Sequence, residues 1–122
     1  MEPKKYDLEE LTLQFAIDCR MFLKKLPKTI SNQEDGKQLV RSSGSVGANY
    51  IEANESLSKK DFNYRIKISR KEAKESAYWL KIIKATNTNE FEKNKYLFDS
   101  RSRRVKENIF SNISKIDLKF KK

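Results

Sequence analysis

The segment from Gln38 to Glu55, QLVRSSGSVGANYIEANE, sets five small residues, Ser42 to Ser45 and Gly47, between stretches patterned as helices. Side chains this small signal either a loop or a close approach of two backbones. A helix running through the segment is penalised, because Gly44 and Gly47 each cost about 1 kcal/mol relative to Ala. Spacing argues the other way. Ser43 with Gly47, and Gly44 with Ala48, stand four apart, so an unbroken helix would present a shallow groove to a neighbouring helix. The spacing predicts a continuous second helix whose small residues meet another rod.

The rest of the chain supports an all-α fold. Three glycines and two prolines in 122 residues leave few breaks, and 37% hydrophobic with 36% charged residues suits long amphipathic helices with narrow buried stripes. That length fits one domain, residues 1–122. Helix 1 is expected over residues 7–26, with Asp7 and Glu10 as a capping box and Tyr6 and Leu11 as a hydrophobic staple. Leu8, Leu11, Phe15, Cys19, Phe22 and Leu26 share one face, and Pro27 stops the helix.

Ser31 and Glu34 form a second capping box, predicting helix 2 over residues 32–55 with Leu39, Ser43, Val46 and Tyr50 inward. Ser58 and Asp61 open helix 3, residues 59–86, whose inner face reads Phe62, Ile66, Ser69, Ala73, Ser76, Leu80 and Ile83. The small residues at 69, 73 and 76 could meet the small tract of helix 2. Helix 4, residues 89–120, carries Phe91, Phe98, Val105, Ile109, Ile113, Ile116 and Phe120. Four such helices on short polar links predict an antiparallel up-down-up-down bundle.

Cys19 is the single cysteine and histidine is absent, so a disulfide framework, a zinc site and His-based acid–base chemistry have no residues to use. No cofactor is expected. The N-terminus lacks an apolar signal core and no run approaches the roughly 20 apolar residues of a membrane span, which predicts a soluble cytoplasmic protein. Glu52 with Glu55 and Glu72 with Glu75 resemble half of a di-iron carboxylate pattern, but the required histidines are missing. Ordinary carboxylates are expected, with Glu52 held by a partner such as Arg41. Trp79, just off the inner stripe of helix 3, is expected against helix 4 or another subunit.

Charge is distributed unevenly. Residues 1–57 hold 8 Lys/Arg against 9 Asp/Glu, a balance of −1, whereas residues 58–122 hold 19 against 8, a balance of +11. On helix 3, opposite the inner stripe, Lys60, Tyr64, Lys67, Lys71, Lys74, Tyr78 and Lys81 recur at alternating steps of 4 and 3. Lysines neutralise phosphates and tyrosine rings stack on unpaired bases, so the row suits RNA or single-stranded DNA. The competing reading is a solvated helix face with tyrosines at a subunit contact. Arg101, Arg103 and Arg104, with Lys115, Lys119 and Lys122, extend the positive surface along helix 4.

The run from Gln38 to Leu80 resembles the four-helix-bundle family encoded within intervening sequences of bacterial 23S ribosomal RNA genes. That family includes the accessory variability protein of diversity-generating retroelements. Gln38, Arg41 and Ser42, then the string from Ser45 to Ala53, SVGANYIEA, then Ser58-Lys59-Lys60-Asp61-Phe62, carry the likeness. The resemblance implies a ring-like homopentamer with no enzymatic activity, partnered by RNA or DNA and, in the retroelement members, by a reverse transcriptase. An adaptor role for such an enzyme is the alternative function. Ser43, Gly44, Gly47, Asn49, Tyr50 and Glu52 are the residues expected at helix packing or oligomer contacts.

Overall fold

The computed structural model describes residues 8–88, 109 and 113–120, and the description below concerns these. The protein is all-α with four helices: α1 (Leu8–Lys24), α2 (Ile30–Asn54), α3 (Lys59–Thr86) and α4, described over residues 113–120. No strand occurs among the described residues. The expected cap at Asp7 and staple at Tyr6, and the stripe positions Phe91, Phe98 and Val105, lie outside them.

α1 ends at Lys24, short of the expected residue 26, because the residue before a proline is pushed out of the α region. The chain tightens through bonds from the Lys25 N–H to the Phe22 carbonyl and the Leu26 N–H to the Leu23 carbonyl. Leu26 stays buried although it has left the helix. α2 starts two residues earlier than its predicted capping box. Thr29, with extended backbone at φ −93° and ψ 164°, is the N-cap, and its hydroxyl accepts from the Asn32 N–H at 3.1 Å. Ser31 therefore lies inside the helix. For α3 the predicted cap is the observed one: the Ser58 hydroxyl accepts from the Asp61 N–H at 3.1 Å.

α2 runs unbroken through Gly44 and Gly47, as its spacing predicts. Contacts on its two sides differ in kind. Toward α1, Leu23 approaches Gly36, Arg20 approaches Gly44, and Gly47 sits over Thr12. Thr12 is buried and its hydroxyl donates to the Leu8 carbonyl at 2.6 Å, which satisfies it within its own helix. Toward α3 the seam is made of serines. Ser76 donates to the Ser42 hydroxyl at 2.8 Å, and Ser69 donates across the gap to the backbone carbonyl of Val46 at 3.0 Å. The small residues of α3 thus meet α2 at Ser42 and Val46, while Ser43, Gly44 and Gly47 serve the α1 side.

A buried amide pair closes one end of this seam. Asn32 and Asn87 exchange two side-chain hydrogen bonds of 2.8 Å each, and their amides also donate to the carbonyls of Pro27 (2.9 Å) and Ile83 (2.7 Å). As α2 numbers rise through 32, 42, 46 and 49, their α3 partners fall through 87, 76, 69 and 65. Polar pairs repeated along the seam fix register as well as proximity.

The core is one cluster in which Leu11, Phe15, Cys19 and Phe22 of α1 meet Leu39 and Val46 of α2 and Leu80 and Ile83 of α3. Ile113, Ile116 and Phe120 of α4 join it, with the Phe120 ring 6.2 Å from that of Tyr50. Burial pushes the Cys19 thiol up to about 12, so it is a neutral core residue. One inward assignment fails. Phe62, in the first turn of α3, is 38% exposed, as is common for a residue at a helix end.

The glycines give a graded test. A Cβ at Gly47 would meet Thr12 Oγ1 at 2.9 Å and Thr12 Cβ at 3.2 Å, one at Gly44 would meet only the flexible end of Arg20 at 3.3 Å, and one at Gly36 would make ordinary contact with Leu23 at 3.5 Å. Removing helix-interior glycine is worth about 1 kcal/mol, whereas overpacking costs about 1–3 kcal/mol. Gly36→Ala is expected to raise the thermal midpoint, and Gly47→Ala to lower it, with Gly44→Ala between. Thermal unfolding of the three variants by circular dichroism checks that order, and Gly47→Leu should be the most damaging of all.

Candidate nucleic-acid interface

Two polar arrangements mark the surface of α3, and they face different ways. On the side toward α2, Arg41 bonds to both oxygens of Glu72, at 3.0 and 3.3 Å, and meets Glu75 Oε2 with the same guanidinium. The Trp79 indole N–H donates to that Glu75 oxygen at 3.1 Å. Arg41 therefore does not serve Glu52, as expected from sequence; Glu52 is exposed on α2 and the guanidinium turns to α3. The reason is geometric, because two carboxylates one turn apart on the adjacent helix offer a fork-to-fork fit.

Trp79 is half-buried against the core, and its ring meets that of Tyr78 edge-on, with centroids 5.3 Å apart and planes at 70°. Glu75 is held below its ordinary value of 4.5, first by the Trp79 N–H and then by Arg41, against the opposing pull of desolvation.

Away from α2, Lys60, Tyr64, Lys67, Lys71, Lys74, Tyr78 and Lys81 are all exposed, Tyr64 by 61% and Tyr78 by 58%. α3 holds them on one face through the 4-and-3 spacing, and 28 helical residues give that face a length of about 42 Å. The guanidinium of Arg65 stands 6.0 Å from the Tyr64 ring centroid, within cation–π range. Lys115 and Lys119 of α4 are exposed. Arg101, Arg103, Arg104 and Lys122 lie outside the described residues.

Between this row and α4 runs a groove of about 480 Å³, with Lys74, Tyr78 and Lys81 on one wall, Ala73 and Ala77 at its base and Ile113 opposite. Asp117 closes one side and lies 3.8 Å from Arg70 Nε.

The remaining expected contact residues separate by neighbour. At the α1–α2 contact the Ser43 hydroxyl accepts from Arg20 at 3.5 Å and donates to the Val40 carbonyl at 3.3 Å. Asn49 accepts from Arg65 of α3 at 3.4 Å and donates to the Ser45 carbonyl at 2.9 Å. Tyr50 packs on Phe120 of α4.

Sequence reading missed the Arg41–Glu72–Glu75–Trp79 cluster and the Asn32–Asn87 pair. For the first there was a signal, since Glu72, Glu75 and Trp79 recur at steps of 3 and 4 on one stripe of α3. For the second there was none, because the two asparagines are 55 residues apart.

Among the described residues, no group of three or more His, Cys, Asp or Glu side chains could hold a metal ion, and no helix is long and apolar enough to cross a membrane.

These features define a small helical protein with a tightly packed central helix and a basic, tyrosine-bearing outer face. The chain belongs to the 23S rRNA-intervening sequence protein family, whose model matches residues 4–109. Its fold is also that of a crystal structure from Bacteroides thetaiotaomicron, a protein of unknown function from the S23 ribosomal protein family. The two share 28% identity at a TM-score of 0.67, over 92% of this chain and 93% of that one. No curated protein matches it.

The Glu75 cluster predicts a pH dependence. A carboxylate whose folded value is lowered adds stability that is present above the ordinary value of 4.5 and is lost as pH falls through the folded value. Trp79→Phe removes the indole donor while keeping a large ring. Urea midpoints measured across the acid range are expected to fall less steeply with pH in Trp79→Phe than in the parent.

Proposed function

We propose that this protein is a non-enzymatic, homo-oligomeric antiparallel up-down-up-down bundle of the cytoplasm that binds RNA or DNA through the basic surface of α3 and α4. One observation carries the reading: all five lysines and both tyrosines of the α3 row are exposed on one face, in the half of the chain with a balance of +11. Contacts from such a row would go mainly to phosphates, so binding would show steep salt dependence and weak sequence preference. Arg101, Arg103 and Arg104 are proposed to extend the same surface.

Mobility shifts with RNA and single-stranded DNA at rising salt test the reading. Binding in the micromolar range or tighter is expected at low salt, weakening steeply as salt rises. Lys67→Glu combined with Lys71→Glu should leave the melting temperature unchanged and weaken binding by tenfold or more. Absence of micromolar binding even at low salt would remove the proposal.

A second reading, an adaptor for a reverse transcriptase or similar enzyme, and the proposed self-assembly both draw on a separate observation. Leu13, Ile17 and Met21 form an exposed apolar strip on α1, at 61%, 42% and 46%, and Ile51 of α2 is 47% exposed. A shallow groove lined by Leu13, Ile17, Gly44, Gly47, Ala48 and Ile51 lies between the two helices. Surfaces this apolar are commonly covered by protein. Self-association through this face, as a pentamer by family resemblance, is proposed. Light scattering should give a multiple of the 14.4 kDa chain mass, and Ile17→Glu should shift it toward the monomer without loss of helix content.

A further inference from the structure

The groove between α3 and α4 exists because α3 is narrow there: Ala73 and Ala77 stand one turn apart, opposite Ile113. Bulkier residues at those two positions would close it. The walls of this apolar slot differ. Lys74 and Lys81 flank it about 10 Å apart along the helix axis, and Tyr78 stands between them. The carboxylate of Asp117 on the α4 side disfavours a phosphate deep in the slot and leaves the lysine rim as the place for anions.

The Tyr78 ring is also pre-oriented. Its edge-on contact with Trp79, which is itself bonded to Glu75, restricts how the ring can turn, yet Tyr78 remains 58% exposed. A ring held in this way stacks on a flat partner with little further loss of freedom.

An apolar floor, an exposed ring and two flanking cations match the parts of one unpaired nucleotide with its neighbouring phosphates. We infer that this groove receives an unpaired base of a single-stranded nucleic acid, stacked on Tyr78, with Lys74 and Lys81 on the flanking phosphates. This deepens the nucleic-acid reading and rests on it. It makes the difference between a row that holds any polyanion and one that distinguishes single strands from duplexes, whose bases are already stacked and paired. Tyr64, fourteen residues earlier on the same face, lies about 21 Å away along the helix axis.

Fluorescence anisotropy with two labelled strands of equal length and charge tests the inference: a short oligodeoxyadenylate, and an abasic strand with the same phosphates and no bases. The parent protein is expected to bind the base-bearing strand more tightly. Tyr78→Ala should weaken that binding about tenfold, in the range of one lost base stack, and leave the abasic strand unaffected. Tyr78→Phe should retain binding, and Ala77→Leu, which fills the slot, should reproduce the selective loss with unchanged helix content.

If the parent holds both strands equally, or if Tyr78→Ala weakens both alike, the groove assignment is overturned while the phosphate-binding row stands. If neither strand binds at low salt, the nucleic-acid reading fails and the groove assignment falls with it.

Discussion

Everything in this fold depends on how closely α2 can lie between α1 and α3. Gly47 rests on Thr12 on one side, and on the other Ser69 reaches the Val46 carbonyl at 3.0 Å. A side-chain hydroxyl as short as serine can bond to the backbone of a neighbouring helix only when the two rods nearly touch. The same closeness makes the polar seam consequential: a buried donor left without its acceptor loses about 1–3 kcal/mol, more than the net worth of the bond itself. Ser69, bonded to the Val46 carbonyl, thus penalises sliding of α2 along α3 in a way that an equally tight alanine would not, whereas Ser42 and Ser76 also bond to carbonyls of their own helices.

Close packing of the first three helices also determines what is left outside. Arg41 of α2 engages Glu72 and Glu75, so an external cation answers the two carboxylates nearest the middle of the lysine row. Lys71 still contributes to the field that keeps Glu75 ionised, but the strongest contacts of both acids are made elsewhere. Less of the row's positive charge is consequently spent within α3 itself. Charges of one sign spaced along a single helix add their potentials at distances up to a Debye length, about 8 Å at physiological ionic strength.

The elements and their faces were legible in the sequence because they are local. Periodicity named Leu11, Phe15, Cys19 and Phe22, which are buried, and the cap at Ser58 obeyed a three-residue rule. Continuity of α2 through its glycines was readable from spacing, though not from propensity. Boundaries were less so. Ser31 and Glu34 form as good a capping box as any, yet Thr29 takes the cap, because Asn32 is needed at the Pro27 carbonyl and at Asn87. That requirement comes from 55 residues away, where no local rule can see it. The destination of Arg41 was hidden for the same reason: Glu52 lies nearer in sequence, but two carboxylates of α3 make the better fork.

The division of labour between faces explains why family membership speaks to the fold more than to the task. Of the residues that carry the likeness, Ser42, Val46 and Ala53 are buried, Gly47 covers Thr12, Arg41 and Asn49 bond to α3, and Tyr50 packs on Phe120. These seven are consumed in holding helices together, whereas Gln38, Ala48, Ile51, Glu52, Lys59, Lys60 and Phe62 of the same set are exposed. The lysines at 67, 71, 74 and 81 and the tyrosines at 64 and 78 stand on the opposite side of α3 from that packing, exposed. Substitutions there leave the seams untouched, so one bundle can carry many different outer faces at little energetic cost. Whatever this chain recognises must therefore be sought in the residues its fold does not require, and the slot beside Tyr78 is the place where that surface has depth as well as charge.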